Sequence, residues 1–552
     1  ELLDRRTKSA EQPGLFCKDG IEHHMKNKTL GPFLGINNRL PDFALHVDRK
    51  GDFLRTADNV DIDDAGHVVR RPAATQVVAM ADAHSLHMTS ATTGFLARGP
   101  ALYRFSGLPL AYAEVLVKVL TVLTPLSWVT IGDDHYYSNG TDSGRISSNL
   151  WYPLGMATPA APATATIAGG LLAGWYKVSL SDSNSVTGEE GGLSATTAHE
   201  LAATGGIRVT LPGAGAAGAT HVNIYLSAAN GTVAYWLAKV AVATATYDCV
   251  ALGAGRESTG RFEGPLTAGT LFHSNGRLCS FSGRNVFIGE PYRYGYMLPL
   301  SSVLTFHDTV TLAVENQGGT FIAADKTYWI PGDIGNVEGI IQTVLPYGAV
   351  PGTAFTFPDK SLVGWFGNQG IVFGATSGEV EAVMTENVSV TPPASGAAIV
   401  FQEDYDVVVS CGWSVNLANK AATQYSDWDF TSLSGDYGTK ADGIYATRTT
   451  GLVDASVGFG KLDFDTAALK HVPNAYIGID ADYPMEITLT TPSNGSYTYS
   501  ARSSGTDLKI QRFDIGKGLR SNWFDVSTNN SGGSAFTLAS ISFLVAETSR
   551  RI

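Results

Sequence analysis

Apolar residues along this chain recur with a period of two far more often than with the period of a helix. Glu486-Ile487-Thr488-Leu489-Thr490 alternates strictly, and Ala539-Ser540-Ile541-Ser542-Phe543-Leu544-Val545 nearly so. Such alternation predicts strands with one buried face. The runs are short, and most are closed by Gly, Asn-Gly or Asp. Residues 53–62 lead into the turn Asp63-Asp64-Ala65-Gly66 and return through His67-Val68-Val69-Arg70, which predicts a hairpin. Residues 101–107 and 128–140 repeat the strand–turn theme, and so do 271–289, 320–330 and 363–375. Recurrent short antiparallel units of this kind predict propeller blades. They share no strict repeat length, so the pattern does not set the number of blades.

These patterns divide the chain. Residues 1–30 form an arm that is polar and without period. Met25-Lys26-Asn27-Lys28 resembles a translation start, so 1–24 are expected either to lie upstream of the core protein or to contact a neighbour. Residues 31–156 are the first part of a propeller-like platform. A Pro/Ala/Thr linker at 157–167 opens an insert, 157–260, with strands at 175–180, 206–211, 221–227 and 234–240. Its turns and lack of helical period predict a fibronectin type III-like β-sandwich. Residues 261–455 resume the platform. Residues 456–552 are a C-terminal antiparallel β region expected to close it. The fold class is all-β: a β-propeller-like platform with an inserted fibronectin type III-like β-sandwich.

Composition narrows the function. Hydrophobic residues make up 44% and charged residues 16% of the 552 positions, which excludes a disordered polyelectrolyte. Lys and Arg total 38 against 51 Asp and Glu, a formal charge of −13. Tight non-specific DNA binding needs the opposite balance. Cys17, Cys249, Cys279 and Cys411 are widely spaced, as expected of reduced thiols made in a cytosol rather than of a disulfide frame. The first residues lack a secretory pattern. The longest apolar stretch, 108–129, holds Glu114, Lys118 and Pro125 and is not a membrane span.

Chemistry-bearing motifs are sparse. Asp61, Asp63, Asp64 and Gly66 faintly resemble a calcium loop but lack its spaced oxygens and distal Glu, so a turn stabilised by Asp is expected. Asp427-Trp428-Asp429 and Asp463-Phe464-Asp465 each place two carboxylates on one face if they lie in strands. A glycosidase needs two such groups across a cleft, whereas solvated edges are the ordinary outcome for exposed Asp. His23-His24 has no further ligands at useful spacing. Gly213-Ala214-Gly215 lacks the phosphate-loop Lys and Ser/Thr. Gly364-Trp365-Phe366-Gly367 is expected to be a packed blade strand. No catalytic residue, metal ligand or cofactor site is assigned.

Several phrases, taken in order, resemble a known family. They are 33–42 (FLGINNRLPD), 57–66 (ADNVDIDDAG), Arg70-Arg71-Pro72, Tyr137-Ser138-Asn139-Gly140, Gly144-Arg145-Ile146, Tyr425-Ser426-Asp427, Asp442-Gly443-Ile444-Tyr445 and 515–520 (IGKGLR), with Ser549-Arg550-Arg551-Ile552 at the end. Together they resemble the structural tail proteins of short-tailed phages: tail nozzle, tail tubular or tail stabilisation proteins. The resemblance runs from about residue 31 to 552, apart from the insert. It implies a non-catalytic virion protein, assembled in the host cytoplasm, whose copies form a ring of six below the portal and adaptor. Implied partners are other copies of the chain, the tail adaptor, tail fibre, spike or needle proteins, and double-stranded DNA passing without sequence-specific binding. An acidic wall suits that passage, because it does not hold phosphates. Arg550, Arg551 and Ile552 are candidate subunit contacts. Two other readings compete: a host-surface glycan-binding or glycan-cleaving propeller, and an upper tail adaptor or ring component.

Overall fold

A computed structural model describes residues 25–46, 50–255, 257–258, 263–299, 301–336, 341–493, 495–502 and 505–548. Among them, strands and turns make up the fold, and Asp42–Ala44 forms a single 3-10 turn.

Among the described residues, six four-stranded antiparallel sheets and the first four strands of a nine-stranded sheet make seven blades that follow one another around a ring. Blade 1 spans 83–119, blade 2 127–152, blade 3 270–305, blade 4 312–345, blade 5 355–382 and blade 6 398–424. Blade 7 takes Ser432–Ser434, Tyr437–Lys440 and Gly443–Thr449 from one part of the chain and its outer strand, Ala73–Ala79, from another. Ser432–Ser434 in blade 7 and the first strand of every other blade lie innermost, and each touches its counterpart in the next blade. Between blades 1 and 2 the contact includes hydrogen bonds from Leu126 N to Ser85 Oγ and from Trp128 Nε1 to the Ser85 carbonyl. Blades pack face to face through large side chains. Phe321, Trp329 and Trp365 meet between blades 4 and 5 with ring centroids 4.3 and 5.1 Å apart, and all three are 2% exposed or less. Gly364-Trp365-Phe366-Gly367 is therefore a buried blade strand, as expected.

Three strands from 432–449 and one from 73–79 make up blade 7, so Ala73–Ala79 closes the ring. The C-terminal region, expected to close the platform, has a different place. It packs with the described residues of 25–70 into a β-sandwich joined to the propeller. One sheet runs Gly505–Asp514, Lys470–Ala481, Phe536–Glu547, Val68–Arg70, Val60–Ile62, with Met25–Leu30 also along Phe536–Glu547. The other runs Thr56–Asp58, Ser456–Leu462, Phe524–Asn529, Glu486–Thr490, Ser496–Ser500 and continues from blade 6. The alternation in the sequence explains the core. Ile477, Ile479, Leu538, Ile541 and Phe543 face Val457, Phe459, Ile487, Leu489 and Val526 across the two sheets. Residues 31–70 thus belong to this sandwich rather than to the platform, because their apolar positions complete its core. Arg550, Arg551, Ile552 and the arm at 1–24, with Cys17 and His23-His24, lie outside the described residues.

The insert is a two-sheet sandwich, Ala163–Leu171, Gly205–Thr210, Thr246–Cys249 against Thr197–Leu201, Gly174–Ser183, His221–Ser227, Ala234–Ala241. It has its own core around Tyr176, Val178, Ile207, Val209 and Ile224. The linker expected at 157–167 ends early. Thr164 and Thr166 are β-branched and pair with Val209 and Ile207, which draws 163–167 into a strand. A polar loop fixes the insert to the propeller. Glu189 accepts hydrogen bonds from Arg145 Nη2 of blade 2 at 3.1 Å and from Tyr296 OH at 2.8 Å. Glu190 accepts from Ser181 Oγ at 2.6 Å and from Tyr225 OH at 2.5 Å. Replacing Glu189 by Ala leaves Arg145 and Tyr296 without that acceptor and is expected to cost about 1–3 kcal/mol. The insert keeps its own core, so small-angle scattering should show a folded chain with a wider spread of insert orientations.

Candidate functional site: the propeller–sandwich joint

The sandwich and the propeller meet where Thr56–Asp58 lies parallel to the outer strand of blade 6, Ala422–Gln424, with Asp58 opposite Gln424. The chain then leaves one sheet of the sandwich for the other through Asn59, whose φ of 57° is left-handed. Asn tolerates that conformation better than most residues. The corner turns the Asn59 side chain inward. Its Nδ2 donates to Ser426 Oγ and to the Asp454 carbonyl, both at 2.9 Å. Its Oδ1 accepts from Arg71 Nε at 2.8 Å.

Arg71 is 2% exposed. Its guanidinium lies over the rings of Tyr425 and Trp428, 4.8 and 5.5 Å from their centroids, and Nη1 donates to the Pro72 carbonyl. Burial lowers its pKa, opposed by Tyr425, Asp427, Asp61 and Asp58. Asp61, 4% exposed, accepts from Ser414 Oγ at 2.6 Å and from Tyr425 OH at 2.7 and 2.8 Å. Desolvation raises its pKa against those hydrogen bonds, and it pushes Tyr425 well up. A buried carboxylate is stable only with such donors. Asp63 has the turn role expected of it: it accepts from Ala65 N and His67 N at 3.0 and 2.7 Å. Asp64 instead accepts from Asn416 Nδ2 at 2.9 Å. A parallel set of contacts holds 37–38 to blade 5's trailing loop, with Asn37 Nδ2 on Asn387 Oδ1 at 3.1 Å.

The joint therefore gathers Asn37-Asn38, Asn59 to Asp64, Arg71-Pro72 and Tyr425-Ser426, phrases scattered over nearly four hundred positions. Beside Arg71 lies a polar cleft of about 340 Å³ lined by Asp58, Asn59, Arg71, Ser426, Asp427, Lys440 and Asp454.

The other sequence candidates are dispersed. Asp427 and Asp429 fall in a loop, and Asp463 and Asp465 at a turn, so the two-residue period of a strand does not align either pair. Asp429 pairs with Lys440, and Asp465 with Lys28 at 3.2 Å. Gly213 to Gly215 lies in a loop, where Asp182 receives the Ala216 N–H at 2.7 Å. Cys249, Cys279 and Cys411 are free thiols, and burial raises the pKa of each, Cys279 to about 12. Among the described residues, the innermost blade strands carry one carboxylate, Glu315. It is tied to His273 Nδ1 at 2.5 Å, Lys360 Nζ at 2.8 Å and Asn275 N at 2.7 Å. Burial alone raises its pKa, yet these three partners together hold it at about 2. These contacts link blades 3, 4 and 5.

A second polar contact joins blades 1 and 2. His87 stacks on Trp128 at 4.9 Å, and its Nε2 lies 2.9 Å from Thr130 Oγ1 and 3.3 Å from His135 Nδ1. Burial, with repulsion from His135, drives the His87 pKa down to about 4. Burial also lowers that of His135, while Asp134 and Asp133 oppose the shift. An unfolded His titrates near 6.5, so the unfolded chain takes up protons first as the solution is acidified. This contribution is present above pH 6.5 and is lost as pH falls towards 4. Denaturation midpoints at pH 7 and pH 5 should differ less in His87→Gln than in the parent, by roughly 1–2 kcal/mol.

Among the described residues, ring closure and joint together define a seven-bladed β-propeller fused to a terminal β-sandwich and carrying an inserted one. Neither a family model nor a curated protein matches the chain. Among solved structures it is similar to the WD40 beta propeller domain of Doa1, at 8% identity and a TM-score of 0.26, over 65% of this chain and 97% of that one. YCF48 bound to D1 peptide gives 11% and 0.25, over 62% and 96%. The exo-beta-1,3-galactanase from Phanerochaete chrysosporium gives 11% and 0.18, over 76% and 95%. Likeness at this level adds nothing to what the closed ring of blades already establishes.

Proposed function

We propose that this chain is a structural subunit of a short-tailed phage tail, a nozzle protein whose copies form a ring, six by the family resemblance, below the adaptor. The ring retains the genome and then conducts it. One observation carries the reading: several of the phrases that resemble tail nozzle proteins, those at 37–38, 59–64, 71–72 and 425–426, are spent on holding the propeller to the sandwich. Asn59, Asp61, Arg71 and Tyr425 bond to one another rather than to a reaction centre. A part that transmits load between neighbours needs such a rigid joint more than it needs a cleft. The formal charge of −13 supports the same reading, since a duplex slides past a wall that does not bind its phosphates. Adaptor, fibre, spike or needle proteins are the partners this role requires. Native mass measurement of the purified chain tests it. A species of six 58.3 kDa chains is the expected result, and a monomer at all concentrations would contradict it.

A further inference from the structure

The cleft beside Arg71 holds polar capacity that the joint does not use. Arg71 commits Nε to Asn59 and Nη1 to Pro72, and its Nη2 makes no hydrogen bond with the described residues although the side chain is 2% exposed and lines the cleft. Opposite it, the Asp427 carboxylate is exposed and makes no bond with those residues, while Lys440 Nζ turns to the Asp427 carbonyl at 2.7 Å. Asp58 and Asp454 form the wall shared with a second cleft of about 410 Å³, which runs on to Ser456 and Glu486.

The donors and acceptors select among ligand classes. A free anion meets Arg71 but also three carboxylates around the mouth. A cation meets the carboxylates but also the buried guanidinium and Lys440. A hydroxyl donates and accepts at once, so neighbouring hydroxyls satisfy an Arg N–H and an Asp carboxylate together without adding charge. The size falls within the ordinary range of ligand pockets, about 300–1,000 Å³. We propose that this cleft binds a neutral saccharide unit, with Arg71 donating to one of its oxygens and Asp58, Asp427 and Asp454 accepting from its hydroxyls. Every group in the site comes from one chain, so the proposal does not rest on the tail reading.

Saturation-transfer NMR on the full chain tests this, using galactose, glucose, mannose and N-acetylglucosamine as neutral probes, with glucuronate and an Arg-Arg dipeptide as charged ones. At least one neutral sugar should receive saturation in preference to both charged probes. Asp427→Ala should weaken that binding about tenfold, the loss of one hydrogen bond to a charged group, while the chain stays folded, since the Asp427 carboxylate makes no hydrogen bond with the described residues and its carbonyl, which receives Lys440, is kept. Absence of transfer to every neutral sugar would overturn the proposal. So would preference for glucuronate, which marks an anion site, or for the dipeptide, which marks a basic-peptide groove. Equal transfer in Asp427→Ala would overturn it as well.

Discussion

Replacing Arg71 by Ala should destabilise the chain by about 3–5 kcal/mol, the range seen when one member of a buried charged network is removed. The substitution takes the Nε donor from Asn59 and the cation from between Tyr425 and Trp428. It also removes a cation that Asp61 helps to hold charged, although the positive charge that most directly counters the desolvated Asp61 is Arg448. Arg71→Lys should rescue little of the loss. Lysine has no planar fork to bond Asn59 and Pro72 together and no flat face for the two rings. The effect should be localised. Asn59 fixes the corner between the two sandwich sheets, so hydrogen exchange should rise first in Val60–Ile62 and Val68–Arg70, before blades 2 to 4 respond. Urea denaturation read alongside exchange checks both parts. A loss below about 1 kcal/mol would show that the arginine is peripheral to the joint.

The second large effect concerns ring closure. Thr75 lies opposite Ala446 in the pairing that completes blade 7. Paired strand residues have Cα atoms ~4.5–5.5 Å apart, within disulfide range. Thr75→Cys with Ala446→Cys should therefore oxidise readily in the folded chain. The cross-link closes a loop of several hundred residues and is expected to add about 2–4 kcal/mol. Reduced and oxidised forms compared by denaturant midpoint supply the measurement. Failure to cross-link under native conditions would mean that Ala73–Ala79 is not the outer strand of that blade.

These two sites also mark where sequence reasoning stopped. Period-two alternation revealed individual strands such as Glu486–Thr490, because each strand buries one face and the pattern is local. Ring closure was hidden because its partners are distant in sequence, and Ala73–Ala79 is an outer strand whose burial hardly alternates. The C-terminal strands alternate like blade strands, so nothing local distinguished a sandwich sheet from a blade. The end of the linker at 157–167 is hidden for a related reason: Pro and Ala signal a loop, yet Thr164, Thr166 and Ile167 need only a neighbouring edge to become a strand.

The joint was partly legible. Asp63 was expected to stabilise its turn and does so. Asp61, grouped with the turn in the sequence, instead accepts from Ser414 and Tyr425, and Arg71 carries no role in the sequence reading. The available signal was a charge set between apolar neighbours: Val60-Asp61-Ile62 is buried at every position, which requires a partner for the carboxylate. Finding Tyr425 as that partner takes a fold. The paired carboxylates at 427/429 and 463/465 were the converse case. They look like a constellation only if a strand runs through them, and turns do.

The tail role rests on whether copies of this acidic β-built chain enclose an open passage. Electron microscopy of the purified assembly, classified without imposed symmetry and repeated with short duplex DNA, addresses that directly. The account predicts six-fold rings with a continuous axial pore and no retained duplex at physiological salt. Isolated single propellers, or rings sealed at the axis, would contradict it.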